Sequence, residues 1–312
     1  MSIQEDLLGL IAEKRSSRRN ILRSVAAGSF AVAAGVVLPG CGGSGTKSAG
    51  SGVGTVAPTD ILQFALNLEY LEAQYYLYAT TGQGLSAADS GTSSTTVTGD
   101  VDPTTGAVAF VNYGGIAKEI AMDELNHVRF LRSALTAAGL TPVTRPAIDL
   151  VNSFNAAASA AGIGASFNPF ASELNFILGA FVFEDVGVTA YHGGAPSLAG
   201  SAYLSPAAGI LGTEAYHAGA IRSIIVATGG SAITIANQIS ALRATADGSG
   251  GTGNETPIGS SGTPMIAATD TNSITYARTP QEVLNIVYLN GTPSTIVHKG
   301  GFYPNGMNGN IK

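Results

Sequence analysis

The chain has 312 residues, enough for one sizeable core with extensions or for two modest domains. Charged side chains make up only 12%, with 15 Lys and Arg against 21 Asp and Glu. Five of the cations and three of the acids precede Cys41, leaving 10 basic against 18 acidic residues, a balance that excludes a nucleic-acid surface and disfavours polyanionic partners.

The first segment in chain order reads as an address. "SRRNILR" (17–23) precedes an apolar run from Val25 to Leu38, short for a membrane span and suited to a signal-peptide core. Arg18 and Arg19, followed by Ile21 and Leu22, resemble a twin-arginine export signal. The closing "LPGC" resembles a lipoprotein cleavage box that would place lipid on Cys41, although Pro39 departs from the usual small or branched residue there. The expectation is export to the periplasm or cell envelope, with membrane contact through a lipid anchor. An inert apolar helix is the alternative. Cys41 is the only cysteine, so the domain has no disulfide framework, thiolate metal site or cysteine nucleophile. Residues 1–41 are thus assigned to the signal and 42–57, rich in Gly and Ser, to a flexible tether.

Four long helical segments follow. The first runs from Thr59 to about Thr80 and stops at Gly82 and Gly84; the second runs from about Tyr113 to Ala138 and ends at Gly139. The third spans about Phe170 to Tyr191, and the fourth about Pro206 to Ala227. Residues 81–111 form a polar insertion, and 140–169 are long enough to run the height of a bundle. This predicts an all-α, ferritin-like four-helix bundle over 58–230, with a long crossover between helices two and three. Residues 231–312 form a loop-rich extension with a short fifth helix, where Thr279, Pro280 and Glu282 make a capping box. The tail "GGFYPNGMNGNIK" reads as a strap over the bundle or as a frayed end.

Each of the four helices puts an acid on its apolar face: Glu69, Glu124, Glu184 and Glu214. The second and fourth add a histidine three residues on, His127 and His217, on the same face. Buried carboxylates repel and resist ionisation, whereas two divalent cations balance four carboxylates and leave two neutral imidazoles as ligands. That is the ligand pattern of paired-metal carboxylate bundles. The ligands are oxygen and imidazole without thiolate, a set suited to iron first and manganese next. Glu72 also lies on the inner face of helix one and is an alternative ligand to Glu69. Asp123 and Asp185 are candidate acceptors from the histidine N–H groups. Tyr76 and Tyr191 are placed near the metals, as hydrogen-bond donors, redox-active phenols or plain core aromatics. His192 reads as a helix-end cap.

"DELNH" (123–127), Glu214-x-x-His217 and two Glu-x6-Tyr elements, Glu69 to Tyr76 and Glu184 to Tyr191, resemble rubrerythrin-like and bacterioferritin-like proteins. "NLEYLEAQYYLYATTGQGL", "RTPQEVLNIVY" and "GGFYPNGMNG" resemble more narrowly the desiccation-related branch of the ferritin-like superfamily. The resemblance implies two metal ions reacting with O2 or H2O2, as ferroxidase, peroxidase or catalase, in stress defence or iron handling, and a possible homo-oligomer. It equally allows a protective envelope protein that binds metal without turnover.

Overall fold

The computed structural model describes residues 56–91, 106–250 and 253–312. The expected signal, Cys41 and most of the tether lie outside the described residues, as does the middle of the polar insertion. Four long helices organise the rest: α1 (Pro58–Thr81), α3 (Gly114–Ala137), α5 (Glu173–Gly194) and α6 (Leu204–Thr228). Local chemistry sets their ends. Pro58 supplies a fixed φ at the first turn of α1, and Gly82 closes it in the left-handed region. Ser172 caps α5 by accepting from the Asn175 N–H. The left-handed Gly139 follows the end of α3.

α1 packs along α3, and α5 along α6. At the start of α1, Gln63 Nε2 donates to Thr141 O just beyond the end of α3, at 2.9 Å. At the other end, Val108 N donates to Ala79 O, so this pair runs antiparallel. α3 buries one stripe, including Ile120, Glu124, Val128, Leu131 and Leu135. α1 and α5 are buried nearly all round, and α5 is apolar enough to cross a membrane by composition, but 78% of its apolar window is buried inside the fold.

Three helices depart from the sequence expectation. α2 (Ala87–Ser90) is a single turn inside the polar insertion. α4 (Asn152–Ala160) lies within the crossover and buries Phe154 and Ala157. α7 (Gly230–Ala246) occupies a stretch that reads as loosened chain, and its inward positions are Ala232, Ile233, Ala236, Ile239, Ser240, Arg243 and Ala246. Small and polar residues hold most of that stripe, so its helical period carries little hydrophobic contrast.

The C-terminal extension is fastened to the bundle. α8 (Pro280–Val287) begins with the Thr279–Glu282 capping box. The tail behaves as a strap: Tyr303 Oη donates to Asn67 O, and Asn67 exchanges hydrogen bonds with the Asn308 backbone. The extension also contributes to a buried ion network of three arginines and three acids. Arg222 and Arg243 both donate to Asp185 Oδ2, at 2.7 and 2.8 Å. Arg243 and Arg278 share Glu255, and Arg278 also reaches Asp247 and Thr189. Gly193 permits this approach, because a Cβ there would collide with the Arg278 carbonyl. Removing one partner strands a buried charge, so Arg243→Ala should cost about 3–5 kcal/mol of unfolding free energy. Urea denaturation checks this.

Candidate metal centre

Ten polar side chains converge between the four long helices. α1 brings Glu69, Glu72 and Tyr76; α3 brings Asp123, Glu124 and His127. α5 brings Glu184 and Tyr191, and α6 brings Glu214 and His217. The three-residue spacing of Glu-x-x-His puts both groups of α3, and both of α6, on the inward face. All four predicted glutamates are buried to 1% exposure or less.

Two overlapping groups of four result. Glu69, Glu124, His127 and Glu214 each offer a ligand atom, as do Glu124, Glu184, Glu214 and His217, with the atoms of each group within 4.8 Å of one another. Glu124 and Glu214 belong to both. His127 Nδ1 faces Glu69 at 3.2 Å and Glu124 at 3.4 Å. His217 Nδ1 faces Glu124 at 3.0 Å and Glu184 at 3.5 Å. Either group of four could hold one metal ion.

The donor atoms test that fit. Both oxygens of Glu124 and of Glu214, Glu184 Oε2 and His217 Nδ1 are buried and make no hydrogen bond. Such atoms are costly to bury without a partner. Six orphaned ligand atoms aimed at one volume are what a cation pair would satisfy.

The surrounding groups complete the arrangement. Tyr76 of α1 donates to Glu184 Oε1 of α5, and Tyr191 of α5 donates to Glu69 Oε1 of α1. Asp123 Oδ2 lies 3.1 Å from His217 Nε2. Asp185 does not meet a histidine. One residue beyond Glu184, its side chain leaves α5 in another direction and joins the arginines. Glu72 is buried but belongs to neither group of four. His192 Nδ1 lies 2.8 Å from Thr275 O, at the end of α5. The residue that sequence reasoning missed is Gly187, where a Cβ would collide with Glu214 Oε2 and lie 3.4 Å from Glu72 Oε1. Its signal was a glycine inside a helix, one turn beyond Glu184.

A ferritin-like domain model matches residues 57–227, the span that carries all of these groups. The chain belongs to the ferritin-like family. It is 30% identical to a ferritin-like catalase of Nesocodon mauritianus, over 82% of this chain and 85% of that protein. It is 28% identical to a desiccation-related protein of Craterostigma plantagineum, over 72% and 75% respectively. These agree with the resemblance to the desiccation-related branch. No solved structure matches significantly.

In this ferritin-like bundle the metal-free cluster cannot ionise fully. Burial, reinforced by the charge of Glu124, pushes Glu214 and Glu72 well above the usual carboxylate range. Burial likewise raises Glu69 to about 7, against the pull of His127. Glu124 resists its own desolvation because both histidines flank it, and is held at about 2. Desolvation works against the imidazolium forms, but Glu69 and Glu124 lift His127 to about 10, and Glu124 and Glu184 lift His217 to about 12.

These shifts set the sign of the pH dependence. A glutamate raised to about 7 costs the folded state more as pH climbs from 4.5. Histidines raised above 6.5 stabilise fully below that value and lose their contribution toward pH 10 and 12. Glu124 acts oppositely, its contribution fading as pH falls from 4.5 toward 2. Metal-free protein should therefore melt at progressively lower temperature from about pH 5 to pH 9. Bound divalent metal, which competes with protons for the same atoms, should remove that decline. Thermal melts with and without chelator check both.

Proposed function

We propose that this chain is an exported two-metal carboxylate protein that reacts with peroxide or O2 in stress defence. The observation that carries the reading is the pair of overlapping four-ligand groups joined through Glu124 and Glu214. In this reading Glu69 and His127 would hold one metal and Glu184 and His217 the other, with Glu124 and Glu214 available to both. Oxygen and imidazole donors without thiolate favour iron, with manganese next. When bound, such a pair supplies redox exchange with dioxygen or peroxide.

The chain's own residues shape that site. Tyr76 and Tyr191 each fix one oxygen of a terminal glutamate, leaving the other to face the cluster, Glu184 Oε2 without a partner and Glu69 Oε2 against His127 Nδ1. Asp123 fixes His217 through Nε2, so that Nδ1 faces the cluster. The ferritin-like catalase relative, similar along most of both chains, supports peroxide as the substrate. The desiccation-related relative supports a second reading, a protective protein that binds metal without turnover. The twin-arginine-like signal and Cys41 support export and lipid attachment. An oligomer of this chain fits either reading.

Anaerobic loading with Fe(II) or Mn(II), followed by elemental analysis, should give about two metal ions per chain. Peroxide added to the loaded protein should then be consumed. Evolution of O2 marks catalase chemistry, turnover that needs an added electron donor marks peroxidase chemistry, a single stoichiometric oxidation of the loaded Fe(II) marks ferroxidase chemistry, and an unreactive complex rules in the second reading. Joint His127→Ala and His217→Ala replacement should remove binding while leaving helicity. Glu69→Ala should cost far more affinity than Glu72→Ala, for which about 10–100-fold is the scale of a supporting group. The reverse result would make Glu72 the ligand.

Two variants test the address. Lys-Lys in place of Arg18-Arg19 should retain the precursor in the cytoplasm, and Cys41→Ser should release exported protein from membranes. Fractionation of either variant like the parent overturns that part of the reading.

A further inference from the structure

Two cavities lie between the bundle and its C-terminal cover. The outer, about 30 Å³, is walled by Phe154 and Phe167 of the crossover, Leu178 of α5 and Ile239 of α7. The inner, about 20 Å³, is walled by Leu68 and Leu71 of α1, Val186 of α5 and Val287 of α8. Val182, Ile286 and Phe302 line both, so three side chains separate one space from the other. A volume of about 10–15 Å³ admits one water-sized molecule, and each cavity meets that measure.

The chemistry of the walls selects the occupant. Arg243, the charged residue of the outer cavity, commits its two terminal nitrogens to Asp185, Glu255 and the Phe181 carbonyl and leaves Nε as its one unpartnered donor. The remaining walls are apolar, and a water there lacks the two to four polar partners it needs. A small, neutral, apolar molecule suffers no such loss. The inner cavity ends on Glu72 and Gly187. Gly187 also borders the cluster itself, since a Cβ there would collide with Glu214 Oε2. Asp123 of α3, which meets His217 of α6, has 38% of its side chain exposed, and this polar seam gives polar species a separate approach.

We propose that these cavities form a dioxygen route to the carboxylate cluster, with Val182, Ile286 and Phe302 as its neck and Glu72 beside Gly187 at its inner end. The proposal rests on the redox reading above, and it applies whether dioxygen arrives as oxidant or leaves as a product of peroxide. Hydrogen peroxide, which would forfeit its hydrogen bonds along these walls, uses the polar seam.

Xenon, which binds dry apolar cavities, reads the route without any metal. Crystals of the full chain under xenon pressure should show it in both cavities, and Val182→Trp should empty the neck. In Fe(II)-loaded protein, Val182→Trp should slow oxidation by O2 about tenfold while leaving metal content and oxidation by peroxide at parental values. Ile286→Phe serves if the tryptophan variant does not fold. Absence of xenon from both cavities overturns the route, as does a parental O2 rate in a variant whose neck is filled. Should the loaded parent ignore O2 and peroxide alike, the redox reading fails and the route is judged separately. Dissolved O2 must then enhance methyl-proton relaxation at Val182 and Ile286 above that of other core methyls, and a failure to do so overturns it.

Discussion

Four carboxylates and two imidazoles occupy one buried volume between four helices, and most other features of the bundle answer to that fact. Such a cluster is unstable without charge compensation. The two Glu-x6-Tyr elements respond to it reciprocally. Seven residues are close to two helical turns, so each tyrosine stands two turns along from its own helix's glutamate. Each then donates to the glutamate of the other helix, Tyr76 to Glu184 and Tyr191 to Glu69. The result is an approximate two-fold relation between α1 and α5. It fixes one oxygen of each terminal glutamate and leaves the other aimed inward.

α5 solves a second charge problem on its other side. Glu184 and Asp185 are adjacent, and successive residues diverge by about 100° around a helix. One therefore enters the ligand cluster and the other the arginine network. The two sites handle acid by different means. The arginine network is balanced, three cations against three carboxylates, and closes without an added ion. The ligand cluster has an excess of carboxylate that its own side chains do not balance, so protons or added cations must meet it. This division answers where a chain with so few charged residues places its surplus of acid.

Much of this was legible in the sequence, and what was not has identifiable causes. α1, α5 and α6 announced themselves as long, strongly apolar runs and α3 as an apolar stripe of helical period, with Gly82 and Gly139 marking the ends of α1 and α3. The capping box before α8 was equally plain. α7 was hidden because Ala232, Ala236, Ser240 and Ala246 give its inner face almost no contrast with its outer one. Asp185 was assigned to a histidine because proximity in sequence to Glu184 says nothing about direction. Its partners, Arg222 and Arg243, stand 37 and 58 residues away, a distance across which no period or motif operates. Gly187 was visible only as a helix interruption. Its role depends on Glu214, which another helix supplies.

The arginine network also bears on how the acidic cluster can exist without metal. In a zinc finger the metal supplies the folding free energy, and the apo chain is unfolded. Here the helices are held by means that need no cation: the apolar core, the reciprocal tyrosines, the balanced network and the Tyr303 and Asn308 strap on Asn67. Asp185 ties α5 to α6 and α7 immediately beside Glu184, and Arg278 N donates to Thr189 O two residues short of Tyr191. The register of α5 is thereby fixed at both of its contributions to the cluster. A cluster held open in this way spends the scaffold's stability on repulsion in the metal-free state. A bound cation would relieve that repulsion, so metal affinity would be set by preorganised geometry rather than by folding.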